Sequence, residues 1–168
     1  MSLKQNNKIM KVLLILKPDC IEKGLEAEVK KILQSKGYTI VAERKIEKVS
    51  TEELEAHYNT LGKLRERLTE AKGAEFAEKV ISSTFEYMSR GPIVPFVIEK
   101  EGNDEEVVAT LRNDVIGATR PWQAKEGTIR ELYGNKDENH DPIENVVHCS
   151  GNAEEAHAEV KLWFPELG

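Results

Sequence analysis

A histidine that ends a short β-branched run is the residue in this sequence best suited to chemistry. The run and the small polar turn after it occupy residues 145–151, and His148 stands between them. Asn152 is followed three residues later by Glu155, a pairing typical of a capped helix N-terminus, where anionic groups are favoured. A nucleophile that accepts a phosphoryl group is well placed there. The same pattern also fits an ordinary polar turn that contains a histidine.

Two neighbours of His148 bear on how it could react. Glu159 lies about two turns into the helix that follows, so its carboxylate can reach back, fix the tautomer of the imidazole and support its nucleophilicity. Cys149 offers a thiol of its own, but the only base beside it is the histidine. A small structural cysteine is therefore the better interpretation of Cys149.

Four further cationic or polar side chains lie near predicted strand or helix ends or in a long loop: Lys17, Arg112, Thr119 and Arg130. In an acidic protein such a set predicts a polyphosphate cradle, because Arg and Lys neutralise phosphate charge. Each cation, taken alone, also fits a solvated surface charge. Tyr58 fits the core and the site equally. The other three histidines, His57, His140 and His157, are predicted to be exposed and solvated.

Length and composition set the broad class of protein. The chain has 168 residues, of which 32% are charged and 39% hydrophobic, and this predicts one soluble globular domain over residues 1–168. A net charge of −6 argues against nucleic acid or an anionic membrane as a partner. Cys20 and Cys149 form no disulfide framework or zinc site, and no secretory signal is recognisable. We therefore expect a reducing, cytoplasmic setting.

Hydrophobic periodicity predicts the elements that position these residues. Strands are predicted over residues 12–16, 38–42 and onward to 46, 93–98, and up to His148. Helices are predicted over residues 25–33, 50–61, 62–88 with a break at Gly73, 103–116 and 152–164. Pro95 suggests that its strand is an edge or carries a bulge. Residues 117–142 lack periodicity and form a long loop. The order favours a split β-α-β sheet with helices over one face.

Several short motifs occur in one order along the chain. They are Leu16-Lys17-Pro18-Asp19, His57-Tyr58, Gly91-Pro92, Gly117-Ala118-Thr119, Gly127-Thr128-Ile129-Arg130, Asn145-Val146-Val147-His148-Cys149-Ser150, Glu159 and Leu162-Trp163-Phe164. Each is weak alone, but together they closely resemble the nucleoside diphosphate kinase family. The similarity runs from about residue 11 to residue 164, which is nearly the whole chain.

What this resemblance implies is an α+β fold, namely a ferredoxin-like βαββαβ sandwich with a four-stranded antiparallel sheet and added helices. It also implies ping-pong phosphoryl transfer, in which His148 takes the γ-phosphate of a nucleoside triphosphate and becomes phosphohistidine. The histidine then passes the group to a different nucleoside diphosphate. The chemistry is consistent with this, because phosphoryl transfer asks mainly for positioning and charge neutralisation.

The resemblance further implies a role for each site residue. The phosphates would be held, with Mg²⁺ bridging them, by Lys17, Arg112, Thr119 and Arg130. Asn145 would bond the ribose hydroxyls together with Lys17. Tyr58 would pack beside Lys17 and His148. Glu159 would orient that histidine. No side chain is expected to ligate the metal directly, and a homo-oligomer is the family rule.

The chain departs from the family pattern in three places. The family usually has His-Gly-Ser-Asp where this chain has His148-Cys149-Ser150-Gly151, so a carboxylate near the phosphates and the metal is missing. Residues 62–77 look inserted, which displaces the aromatic that stacks on the base and leaves Phe76 or Val80 as poor replacements. The acidic loop at residues 136–141 is also longer than usual.

Two other functions fit the same residues. A non-catalytic nucleotide-binding or interaction module on this fold would bind nucleotide without forming a phosphoenzyme, and Cys149 and Gly151 favour that hypothesis. A different histidine-dependent phosphotransferase or phosphohydrolase would pass the phosphoryl group to another acceptor such as water. The kinase is the stronger hypothesis, because the histidine and the residues around it in the family pattern are present.

Overall fold

A four-stranded antiparallel sheet forms the centre of the computed structural model, which describes residues 8–167. The strands are β1 (Ile9–Leu16), β2 (Thr39–Glu43), β3 (Val94–Glu101) and β4 (Val147–Cys149). Their order is β2-β3-β1-β4, and β1 pairs with β3 along its whole length. At the other edge of β1, Ile15 lies opposite His148 of β4. The predicted α+β fold with ferredoxin-like connections is confirmed.

Helices connect the strands and cover the sheet. They are α1 (Pro18–Glu22), α2 (Glu26–Ser35), α3 (Thr51–Leu54), α4 (Leu64–Lys72), α5 (Ala74–Ser89), α6 (Asp104–Thr110), α7 (Ile129–Tyr133) and α8 (Ala153–Trp163). The π-helical segments Glu55–Leu61 and Leu111–Ile116 continue α3 and α6, and 3-10 turns lie at Pro121–Gln123 and Pro165–Leu167. Among the helices in this described part, none is long and apolar enough to cross a membrane.

The core lies on both faces of the sheet. Val12 and Leu14 of β1 belong to one buried cluster, which α2 and α6 help to form. Leu13 and Ile15 belong to a second cluster, which includes residues of α5 and α8. The prediction that helices cover only one face is therefore wrong. Because β1 is apolar on both faces, each face needs a layer to bury it.

Pro95 lies in an interior strand, so the prediction of an edge strand is wrong. The carbonyl of Pro95 accepts a hydrogen bond from the backbone N–H of Arg44 at 3.1 Å. The nitrogen and the carbonyl of one strand residue point to the same side, so the proline nitrogen also faces β2. Because β2 has already ended at Glu43, the missing N–H of Pro95 costs the sheet no hydrogen bond. The pairing of β3 with β1 runs through Pro95 without a shift, and the register shift in this sheet lies instead in β2, between Ile40 and Ala42. Ile46 returns to the sheet only as an isolated bridge.

Helix starts follow the capping signals in the sequence. Ser50 and Glu53 make both bonds of a capping box ahead of α3, as predicted. Asn152 accepts the backbone N–H of Glu155 at 2.9 Å ahead of α8, also as predicted. The short helix α7 was not predicted. It begins because Thr128 accepts a backbone N–H of the first turn inside the loop that lacks periodicity.

Candidate active site

Two adjoining cavities of about 730 and 360 Å³ open beside the end of β4. Gly62, Arg67, His148 and Glu155 line both, so the two form one cleft with the histidine on their shared wall. The smaller cavity is lined by five predicted site residues besides His148: Lys17, Tyr58, Thr119, Asn145 and Glu159. Arg112 lines the larger one. Arg130 is a wall residue of neither cavity and lies behind them.

The turn just before β4 contains a residue in the left-handed backbone conformation, and this turn positions side chains of the cleft. Val146 has φ of 63°, an uncommon and costly conformation for a β-branched residue. Its backbone N–H donates to the Asp19 carboxylate at 3.2 Å, and its carbonyl accepts from the backbone N–H of Lys17 at 2.8 Å. The Tyr87 hydroxyl donates to the other Asp19 oxygen at 2.6 Å. These bonds hold the turn so that Asn145 reaches the side chain of Lys17.

Lys17 and Asn145 form the polar wall of the smaller cavity. The Lys17 ammonium donates to Asn145 Oδ1 at 2.7 Å, and Asn145 Nδ2 donates to the Thr119 carbonyl at 2.9 Å. Burial and the nearby charge of Arg130 lower the pKa of Lys17 from 10.5 to about 7, although Asp19 acts in the opposite direction. An approaching anion therefore favours the protonated, positively charged form of the Lys17 amine.

The two predicted arginines lie at different depths. Arg130 is buried and donates to the carbonyls of Val147 at 2.7 Å and Gly117 at 3.1 Å. Burial lowers the pKa of Arg130 to about 10, so its guanidinium stays charged at neutral pH. Arg112 donates to the Gly151 carbonyl at 3.0 Å from the wall of the larger cavity. Of the two arginines in the predicted phosphate cradle, Arg112 therefore lies on the cavity wall, and Arg130 lies behind it, hydrogen-bonded to the backbone of β4.

His148 and Glu159 form the central hydrogen bond of the site. The His148 Nε2 atom lies 2.7 Å from Glu159 Oε1, which also accepts the Ser150 hydroxyl at 2.8 Å. Burial raises the pKa of the Glu159 carboxyl, but the charge of protonated His148 and the hydrogen bonds from His148 and Ser150 outweigh burial and hold the pKa at about 2. An ionised carboxylate accepts, so Nε2 carries the proton and Nδ1 keeps a free lone pair. Nδ1 has no hydrogen-bond partner within residues 8–167.

His57 is buried, so the prediction that it is exposed is wrong. Its side chain is 2% exposed, and its Nδ1 accepts a hydrogen bond from Trp163 Nε1 at 3.0 Å. Its ring packs edge-on to that of His148, with centroids 4.5 Å apart. Burial, above all, and the charge of His148 lower the pKa of His57 to about 3, which keeps it neutral. The side chain of His157 is 62% exposed, as predicted, and that of His140 is 37% exposed.

Tyr87 is a second aromatic residue of the site that was not predicted. The Lys17 ammonium lies 5.6 Å from the centroid of the Tyr87 ring. Tyr58 lines the same cavity and packs edge-on against His57, with ring centroids 4.8 Å apart. Its ring is tilted by 40° against that of Phe85, with centroids 6.1 Å apart. Burial raises the pKa of the Tyr58 phenol, so this side chain is neutral at physiological pH.

The rest of the smaller cavity has an apolar wall. This wall is contributed by α4, α5 and the loop before β4: Leu64, Val80 and Ile143. Of the two replacements considered for the missing base-stacking aromatic, Val80 reaches the wall. Phe76 does not, because it is 37% exposed and packs against the Lys72 ammonium at 4.9 Å. The space next to the polar wall is therefore bounded by aliphatic side chains.

Cys149 is structural, as predicted. Its side chain is 7% exposed and belongs to the core cluster on the α2 face of the sheet. Burial raises the pKa of the Cys149 thiol to about 12, and the opposing charges of Arg130 and Arg112 do not reverse this. A thiol that stays protonated is a poor nucleophile, so Cys149 is not suited to attack a phosphate in this cleft.

Three donors in the cleft are close enough to hold a metal ion. One ring nitrogen each of His57 and His148 and one oxygen of Glu159 lie within 4.8 Å of one another. The sequence did not predict this group. Its atoms are already engaged, since Glu159 accepts from His148 and Trp163 donates to His57. The group is therefore a hydrogen-bonded network around the nucleophile.

Comparisons with known proteins agree with this geometry. The family profile described as nucleoside diphosphate kinase matches residues 10–167. The nucleoside diphosphate kinase of Chlorobaculum tepidum is 36% identical over 159 residues, covering 92% of each chain, and that of Caldanaerobacter subterraneus is 37% identical over 155 residues, covering 92% of this chain and 94% of the other.

Solved structures give the same result. An NDP kinase from Pyrobaculum aerophilum superimposes with a TM-score of 0.74 at 31% identity, covering 94% of this chain and 96% of that one. A nucleoside-diphosphate kinase from Borrelia burgdorferi, solved as a transition-state mimic with bound vanadate and ADP, has a TM-score of 0.74 at 28% identity. The match covers 93% of this chain and 87% of the Borrelia burgdorferi chain.

Proposed function

The chain belongs to the nucleoside diphosphate kinase family, and we propose that it transfers the γ-phosphate of a nucleoside triphosphate to a nucleoside diphosphate through phosphohistidine on His148. The observation that carries this proposal is the 2.7 Å bond from His148 Nε2 to the ionised Glu159. This bond leaves the lone pair of Nδ1 free to act as the nucleophile. His148 lies on the wall that the two cavities share, and Lys17 and Arg112 line the same cleft.

The transfer needs no general acid. The Nδ1 lone pair of His148 attacks the γ-phosphorus, the bond from that phosphorus to the β-phosphate oxygen breaks, and the diphosphate leaves with the bonding electrons. The Nε2 proton stays on the ring, and the Glu159 carboxylate balances the positive charge that the ring gains. The second half-reaction runs the same steps in reverse with a different diphosphate.

Each wall residue has a proposed role in binding. Lys17 and Arg112 neutralise phosphate oxygens, and Thr119 holds a phosphate through its hydroxyl. Asn145, fixed by its bonds to Lys17 and to the Thr119 carbonyl, binds the ribose hydroxyls. Tyr58 closes the cavity beside the nucleophile. Arg130 contributes positive charge from behind the wall, with its guanidinium bonded to backbone carbonyls.

Mg²⁺ is the cation that we propose for this site. When bound, it would supply positive charge that neutralises the phosphates. The residues present fit such an ion, because Mg²⁺ takes oxygen ligands and the Glu155 carboxylate stands on the wall that both cavities share.

We further propose a single domain over residues 1–168 that works in the cytoplasm as a homo-oligomer. The two free cysteines, Cys20 and Cys149, suit a reducing compartment. An oligomer is supported by the edge position of β2, where Val41 is 38% exposed.

Intact-mass spectrometry tests the proposed transfer. Incubation with ATP and Mg²⁺ should add one phosphoryl group, and a chase with GDP should remove it while GTP appears. His148→Ala should form no adduct and keep its near-ultraviolet circular dichroism, since the substitution removes a side chain from the wall of an open cleft. Nucleotide binding without an adduct in the wild type would instead identify a binding module, and free phosphate released without a diphosphate would identify a phosphohydrolase.

A further inference from the structure

The space where a side chain at position 151 would project is already filled. A Cβ atom built on Gly151 would lie 2.8 Å from Oε2 and 3.0 Å from Oε1 of Glu155. The backbone of Gly151 does not have the left-handed φ that favours glycine, so conformation alone does not require glycine here. Glycine at this position therefore makes room for a carboxylate that comes from the next helix.

The Glu155 carboxylate is oriented by a hydrogen bond at the start of α8. Asn152 Nδ2 donates to Glu155 Oε2 at 2.8 Å, which fixes the side chain at the start of α8. Across residues 8–167 it forms no salt bridge with a lysine, arginine or histidine. It nevertheless lines both cavities together with His148. A negative charge on the wall of a phosphate-binding cleft repels its substrate unless a cation stands between them.

We propose that Glu155 is the carboxylate that faces the divalent cation carried by the nucleotide phosphates. The inference rests on the proposed kinase function. The Glu155 carboxylate takes the place of the Asp that the family usually has at position 151, so the missing carboxylate is supplied by another residue. Gly151 and Glu155 are therefore coupled in space, since a side chain at 151 would push the flexible Glu155 carboxylate aside, and an Asp there would place two negative charges together.

The proposal differs from a purely structural role as a helix cap. Glu155→Gln keeps an amide oxygen that can accept from Asn152 Nδ2, and the backbone N–H of residue 155 still donates to Asn152 Oδ1. A helix cap therefore tolerates this substitution, whereas a site for a cation does not, because the charge is lost. Glu52 provides a control, since it is an exposed carboxylate in the first turn of α3 that lines neither cavity.

The test is titration of Mn²⁺ into the complex of the full-length protein with ADP, with free Mn²⁺ followed by electron paramagnetic resonance. We expect Glu155→Gln to bind Mn²⁺ about tenfold more weakly than the wild type, the usual scale for loss of a residue that supports a metal site. Glu52→Gln should match the wild type, and all three proteins should have the same melting temperature. Equal Mn²⁺ affinity in the wild type and Glu155→Gln would overturn the proposal.

A second set of variants tests the pairing directly. Glu155→Ala alone should lose Mn²⁺ affinity, because the cleft then lacks this carboxylate. Gly151→Asp in a Glu155→Ala background should regain most of it, since the space is then free. Absence of this rescue in a folded double variant would contradict the pairing. The intact-mass assay separates the two proposals. If the wild type forms no phosphoryl adduct, the proposed kinase function is wrong. If the wild type forms the adduct but Glu155→Gln binds Mn²⁺ as well as the wild type, only the proposed role of Glu155 is wrong.

Discussion

Replacing Glu159 with glutamine tests how much the carboxylate contributes to the nucleophile. The glutamine keeps the length of the side chain and an oxygen that can accept from His148 Nε2 and the Ser150 hydroxyl, now at 2.7 and 2.8 Å. What it loses is the charge. A charge-assisted hydrogen bond is stronger than a neutral one by about 1–2 kcal/mol, so phosphorylation of His148 should slow by roughly 5- to 30-fold.

The pKa of Glu159 adds a pH signature to the same variant. The pKa is about 2 in the folded protein and 4.5 for a free glutamate. The stability that ionisation contributes is therefore fully present above pH 4.5 and is lost as the pH falls through 2. Any deficit of Glu159→Gln in the free energy of unfolding should shrink over that acid range.

Rapid-quench kinetics with γ-labelled ATP in a single turnover measures the phosphorylation step itself. ATP affinity should stay near the wild-type value, because Glu159 contacts the histidine and not the phosphates. Ser150→Ala is the control, since it removes one hydrogen bond but leaves the carboxylate, and its rate should fall less. A wild-type rate in folded Glu159→Gln, or a loss as complete as that of His148→Ala, would refute the reasoning.

Three other predictions follow from the residues around the nucleophile. The pKa of Lys17 is about 7 in the folded protein and 10.5 in the unfolded chain, so between these pH values the unfolded chain binds more protons than the folded protein. The free energy of unfolding of the wild type should therefore increase relative to that of Lys17→Met as the pH rises. Urea denaturation at pH 6, 8 and 10 measures it, and a constant difference would contradict it. Trp163→Phe should cost about 1–3 kcal/mol of stability and release the His57 tautomer, because a buried acceptor loses its donor; a single unchanged tautomer in nitrogen-15 NMR spectra would argue otherwise. Asp19→Asn should also cost about 1–3 kcal/mol and slow transfer, because an amide cannot accept on both sides as this carboxylate does; unchanged thermal denaturation would count against it.

Local signals in the sequence were enough to predict most of the elements. The Ser50 capping box and the aliphatic run of β1 depend on neighbours a few residues away, so they can be identified without the fold. The pairing of His148 with Glu159 was also predictable, since both lie on one strand-turn-helix unit. The helical layers on both faces were missed because the pattern of β1 does not say what covers each face.

Long-range contacts account for what the sequence did not predict in the site. His57 is buried by Trp163, a residue 106 positions away, although it shares a helical face with Leu54 that could have indicated burial. The depth of Arg130 depends on carbonyls that meet only when β4 joins the sheet. The Gly151 substitution looked like a lost carboxylate until the three-dimensional position of Glu155 was known.

The central claim is that the phosphoryl group travels on Nδ1 of His148. Phosphorus-31 NMR of the phosphoenzyme, formed with ATP and Mg²⁺ and unfolded in alkali, distinguishes phosphohistidine substituted at Nδ1 from that substituted at Nε2. We predict a single signal for the Nδ1 isomer, absent in His148→Ala, because Nε2 is held by Glu159. A signal for the Nε2 isomer, or a phosphoryl group on any other residue, would contradict this account of the site.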